Sequence, residues 1–239
     1  MKNAQLINKA NVKVDEAQID LLLSESQLPP GEILLLLSDA ALANDDQGCC
    51  VPRQLVHMQD DYRYLSDKSF GRWDCCIAIS REQCDAASSY PAYFTYLLGH
   101  ELGHAKLCLS DICLHIHSCL IREFIGAVSD KVEFMEHLMP HERRCDQFGV
   151  YLSSIVHSRD MLSAEIERKV KEETKNQARL RSLLTVVPRI DFIGLRDELL
   201  SLSIPFKAQL IELWEEDRRQ YGQNSLVSCI HDYEALFIA

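Results

Sequence analysis

The pattern of apolar and polar positions divides the chain into a mixed front half and a helical back half. Residues 13–27 carry apolar positions at helical spacing, and Leu28-Pro29-Pro30-Gly31 then breaks that pattern. The leucine-rich stretch from Glu32 to Ala43 reads as a buried strand or a helix, since a short apolar run fits either. Asn44 to Gly48 has the composition of a loop, and residues 51–66 show no clear period. From Trp73 to Ser80 the sequence WDCCIAIS sets Ile77 and Ile79 against Ala78 and Ser80, the alternation of a strand.

Helical spacing dominates from there on. Tyr90-Pro91 opens a helix, with proline at a first position that loses no hydrogen bond to it, and Tyr93, Leu97, His100, His104 and Cys108 continue along one face. Residues 112–138 read as one or two largely apolar helices ending at Pro140, and the pattern resumes from His141 to about Val156. Residues 160–183 are dense in Glu, Lys, Arg and Gln and read as a solvated helix. Beyond Pro205, the stripe Phe206, Leu210, Leu213 and Trp214 should dock a last helix on the core. The expected architecture is α+β and mostly helical: a core with a small sheet over residues 1–158, and a helical C-terminal region, 159–239, packed on it.

Composition narrows the function classes. An apolar fraction of 47% with 26% charged residues is that of a folded globular chain. The formal charge of −11 opposes phosphate backbones, and no basic stripe interleaved with aromatics overcomes it, so neither nucleic acid nor an anionic membrane is an expected partner. No secretory signal or membrane span is visible, which points to a cytoplasmic protein. Ten cysteines without any C-x-x-C pair then read as small buried hydrophobes, and the metal question falls on histidines.

His100-Glu101-Leu102-Gly103-His104 reads H-E-x-x-H. Two histidines four apart on a helix project from one face and can reach a single tetrahedral zinc ion. Glu101 flanks that ion without ligating it, placed to take a proton from water at the metal as general base. Chance alone yields such a pentapeptide in this composition roughly one time in forty, so the helical context matters. The extended pattern with a third histidine is absent, because Leu107 and Ser110 stand where its glycine and histidine belong. Downstream, Glu142 and Asp146 form E-x-x-x-D on one helical face. Glu142 can complete a His2Glu site, with His141, His137 and Glu136 as competitors. Asp146 can accept a hydrogen bond from the free ring N–H of a metal-bound histidine and fix its tautomer.

GHELGH followed by E-x-x-C-D-x-F-G resembles the gluzincin zinc peptidases over about residues 75–155. The nearest groups are the HtpX-like and the soluble ImmA/IrrE-like peptidases, with the phage-exclusion protease Lit more remote. Cys145 stands where those families carry alanine. The resemblance implies one zinc ion held by His100, His104 and Glu142, Glu101 as base, Asp146 behind a ligand, and an intracellular protein or peptide as substrate. It also implies that the strand Cys75–Ser80 lies at a sheet edge and pairs with extended substrate.

Other polar residues have plainer readings. Tyr151, His157 and His231 are candidates to stabilise an oxyanion, although no motif places them. His115 and His117 read as ordinary helix residues rather than a second metal site, and Cys145 as a small core residue rather than a redox-sensitive thiol. Two rival functions remain at this level: a catalytically silent interaction module cross-linked by zinc, and a metal-free helical protein carrying the motif by coincidence.

Overall fold

The computed structural model describes residues 4–42, 47–54, 71–128, 139–172, 177–222, 230 and 232–238. Four short strands and nine α-helices are present among them. The strands are β1 (Ala4–Asn8), β2 (Ile33–Leu37), β3 (Gly48–Pro52) and β4 (Cys75–Ile79). They form one sheet in the order β1-β2-β4-β3, parallel except for β3, which runs antiparallel to β4.

The leucine-rich stretch is therefore a strand, and its composition is explained by its place. β2 is ILLLL with every residue buried, as expected of a strand covered on both faces by helices. Its side chains alternate between two apolar clusters. Ile33, Leu35 and Leu37 face one layer, formed by α1 (Glu16–Glu25), α3 (Pro91–Ser110), α5 (Pro140–Val156), α6 (Arg159–Glu172) and α7 (Gln177–Leu183). Leu34 and Leu36 face another, built from α4 (Ile112–Val128), α8 (Leu195–Ser203), α9 (Lys207–Tyr221) and Tyr233. Between β4 and α3 lies the short α2 (Arg81–Ala86), capped by the Ser80 hydroxyl.

One expectation is corrected. The strand before the H-E-x-x-H helix, β4, is interior, flanked by β2 and β3, and the sheet edge next to that helix is β3. The cause is pairing: Gly48–Pro52 folds back antiparallel onto β4 and takes the edge, leaving all five residues of CCIAI inaccessible. β3 ends at Pro52, a residue that cannot donate to a ladder and is tolerated at an edge.

The segment 160–183 is not one solvated helix either. It contains α6 and α7, and both bury one side: Leu162 and Ile166 from the first, Leu180 and Leu183 from the second, in the same cluster as Tyr96 and Phe148. Four apolar positions spread among many charges were enough to dock it. Of the predicted docking stripe, Leu210 and Trp214 are buried and Phe206 remains exposed.

The element that positions the chemistry is the antiparallel crossing of α3 and α5. Both helices begin with proline at their first turn. Their axes approach closely because small residues face each other. A Cβ added to Gly99 would lie 3.0 Å from the Gly149 Cα, one on Gly103 3.0 Å from the Cys145 Cα, and one on Gly149 2.6 Å from the Tyr96 carbonyl oxygen. Cys145 thus fills the alanine role at the crossing, fully buried, with burial pushing its thiol well above the ordinary range. The nine described cysteines are all free, and burial raises Cys76 to about 12 and Cys84 to about 11, which keeps them protonated and unreactive.

His117 serves packing. Ser203 Oγ donates to the Leu200 carbonyl, so it accepts from His117 Nε2 at 3.1 Å, which leaves His117 Nδ1 to accept from the Tyr233 hydroxyl at 2.5 Å. This chain of bonds ties α4 to α8 and to the C-terminal turn.

Two outcomes follow from these contacts. Gly149→Ala should destabilise the fold by about 2–3 kcal/mol or more in denaturant unfolding, because its methyl meets backbone that can yield only if the helices separate. Burial lowers His117 from 6.5 to about 4, so the unfolded chain binds the extra proton between those values. Its contribution to stability is complete above about pH 6.5 and is lost as pH falls toward 4. Unfolding midpoints measured from pH 7 to pH 4 should show that loss, and His117→Gln should flatten the slope by up to about 1.4 kcal/mol per pH unit.

Candidate metal centre

His100 and His104 lie one turn apart in α3, and Glu142 stands in the first turn of α5. The crossing brings one ligand atom of each within 4.8 Å of the others. His100 Nε2 is 3.1 Å from His104 Nε2, and Glu142 Oε2 lies 3.3 Å from the first and 3.5 Å from the second. Tetrahedral zinc with bonds of about 2.0–2.1 Å requires its ligand atoms to be about 3.3 Å apart. The three separations fit that requirement, and all three donors suit zinc chemically.

The groups behind the ligands complete the arrangement. His100 Nδ1 is 2.9 Å from Asp146 Oδ1, which also accepts the Tyr96 hydroxyl at 2.7 Å. A carboxylate at Nδ1 leaves Nε2 with its lone pair toward the ligand cluster. His141 Nε2 lies 3.3 Å from Glu142 Oε1, the oxygen facing away from the histidine pair, so His141 orients the carboxylate from outside the cluster. Among the described residues the cluster has three members, and His141 is not one of them. His137 and Glu136, the other competitors, lie outside the described residues.

Burial and pairing divide the protonation states. Burial pushes His104 down to about 4, which keeps it neutral and able to ligate. Burial acts the same way on His100, but its bonds to Asp146 and Glu142 outweigh it and raise the ring to about 9. Burial would raise both carboxyls, yet His104 and His100 hold Glu142 well below its usual range, and Arg179 with His100 holds Asp146 below its own. Both carboxylates stay ionised.

Glu101 is buried beside the cluster without joining it, 3% exposed. Its carboxylate packs against β3: a Cβ built on Gly48 would lie 2.9 Å from Glu101 Oε1, so a side chain at position 48 would push the carboxylate from this place. The acid and the strand edge therefore adjoin each other.

The candidate oxyanion residues fall elsewhere. Tyr151 stacks on Phe148 and lies nine residues along α5 from Glu142, about 13 Å on a helix. His157 caps the far end of that helix beside Thr95. His231 is outside the described residues. His115 is buried with its ring 6.3 Å from that of His104, and burial holds it at about 3, while His117 points to the other face of α4. No second metal group occurs among the described residues.

Two arginines that the sequence did not single out border the centre. Arg179 of α7 places Nη2 3.3 Å from His100 Nε2 and 3.5 Å from Asp146 Oδ1. Arg122 of α4 places Nη1 3.8 Å from Glu142 Oε1. Neither belongs to a motif, and one arginine in a run of mixed charges carries no local signal.

Fold and site together define an α+β protein with a buried His2Glu cluster able to hold a metal ion. The chain has no significant match among protein-family models, curated proteins or solved structures. Among the described residues, no helix is long and apolar enough to cross a membrane.

Asp146→Asn should weaken zinc binding about 10–100-fold, measured by competition with a chromogenic chelator, because the amide cannot hold His100 Nδ1–H as a carboxylate does. Unchanged affinity would count against the ligand set.

Proposed function

We propose that this protein is a zinc-dependent metallopeptidase that cleaves a peptide bond of an intracellular protein. The observation that carries the reading is the pairing of a three-member His2Glu cluster with Glu101, a buried acid next to His100 and against β3, the edge strand among the described residues. Three protein ligands leave a tetrahedral ion one position, which is the difference between a catalytic and a structural zinc site. A silent zinc cross-link would need a fourth protein ligand, and none joins the cluster among the described residues, where His141 instead bonds Glu142 Oε1.

Zinc, when bound, supplies polarisation of the scissile carbonyl and a lowered pKa for water beside it. The rest falls to side chains of this chain. Glu101 takes a proton from the attacking water and passes it to the leaving nitrogen. His100 is held in one tautomer by Asp146, and Glu142 presents one oxygen because His141 engages the other. An extended substrate adds to the outer edge of β3, whose second neighbour is absent among the described residues, and backbone hydrogen bonds bring its carbonyl past Gly48 to Glu101.

The test combines metal content with cleavage. Protein purified without added zinc should carry about one equivalent, both as wild type and as Glu101→Gln. Comparing new protein N-termini in cells expressing each form should reveal cleavages made by the wild type and lost by at least about 100-fold in the variant. Absent zinc, or cleavages that persist in Glu101→Gln, would remove the proposal.

A further inference from the structure

Hydrolysis of a peptide bond needs a donor for the carbonyl oxygen as it gains charge, and none of the residues with a motif supplies one. Resting on the peptidase reading, we infer that Arg179 is that donor and so a catalytic residue contributed by the C-terminal helices. Atoms that hold the same tetrahedral zinc are about 3.3 Å apart. Arg179 Nη2 stands 3.3 Å from His100 Nε2, one such spacing from a ligand atom, at the border of a cluster whose fourth position no described residue fills. A guanidinium has only donors, so once the His100 lone pair is committed to a metal, the Nη2–H needs another acceptor. An oxygen of the substrate carbonyl meets that need. The side chain is 28% exposed, and Asp146 at 3.5 Å keeps its direction.

α7 is built to hold this position. Leu180 and Leu183 bury on either side of the turn after Arg179. Arg159 donates to the carbonyls of Leu183, Leu184 and Val186 and closes the end of the helix. Arg122, the other bordering cation, approaches Glu142 through the outer oxygen and is 48% exposed.

In the step assigned to it, water oxygen bonds the carbonyl carbon, one water proton moves to Glu101, and the carbonyl π pair moves onto oxygen, where Arg179 donates. Collapse re-forms the carbonyl, breaks the C–N bond and delivers the proton from Glu101 to nitrogen. Products are one carboxylic acid and one amine.

Methylphosphonate, a tetrahedral anion indifferent to peptide sequence, is the probe, titrated by calorimetry into the zinc-loaded full chain. Its affinity should fall at least about tenfold in Arg179→Met, recover in part in Arg179→Lys, and change less than about threefold in Arg122→Met. Zinc affinity by chelator competition should be no weaker in Arg179→Met, because a cation leaves the neighbourhood of the metal. The role is overturned by undiminished phosphonate binding in Arg179→Met, by a wild type that binds none, by equal losses in both arginine variants, or by a tenfold loss of zinc affinity. The last result would make Arg179 a structural partner of Asp146. A wild type that takes up no zinc would instead remove the peptidase reading itself.

Discussion

Everything in this site depends on how closely α3 and α5 cross. Gly99 and Gly103 on one helix meet Gly149 and Cys145 on the other, with backbone against backbone. At that separation Glu142 reaches the two histidines at 3.3 and 3.5 Å, and one turn later Asp146 reaches the far nitrogen of His100. A single methyl group at the crossing would part both contacts together, because the two acids sit on one rigid helical face. The glycines are therefore part of the metal centre, although none of them touches it through a side chain.

The close crossing also creates an electrostatic demand. It buries two carboxylates, and isolated buried charges are costly. Asp146 is compensated by Tyr96, His100 and Arg179, and Glu142 by three histidines, with Arg122 at the outer oxygen. The chain carries a net charge of −11, yet the border of its cluster is set by two guanidinium groups. An average charge speaks for the whole surface and not for a site a few ångströms across. The strand edge at Gly48 and α7 bearing Arg179 approach this cluster from different parts of the chain, so sheet, crossing helices and C-terminal region all border one cluster.

Much of this was legible before folding. The helices 91–110 and 140–156 show in their 3.6-residue period, the first also in its opening proline, whereas Pro140, read as the end of the preceding helix, opens the second; the strand at Cys75–Ile79 shows in its alternation. The ambiguous ILLLL run was settled by its neighbours, since the same letters suit a buried helix until a strand pairs on each side. The edge assignment failed for a related reason: which strand lies outermost depends on where Gly48–Pro52 folds back, and nothing in β4 encodes that. Residues 160–183 looked solvated because charge density hides four buried apolar positions, and the tertiary partner of Arg179 lies in helices far upstream.

By itself the sequence determined what local periodicity can carry: that His100 and His104 share one helical face, that Glu101 lies beside it, and that Glu142 and Asp146 share another. Spacing along a helix is a fixed geometry, so those statements needed no fold. Only the tertiary structure decided that the two faces meet, that β3 rather than β4 borders Glu101, and that Arg179 rather than Tyr151 or His157 stands at the cluster. Those outcomes depend on contacts between residues distant in the chain, set by packing of small residues and by burial, and no local pattern records them.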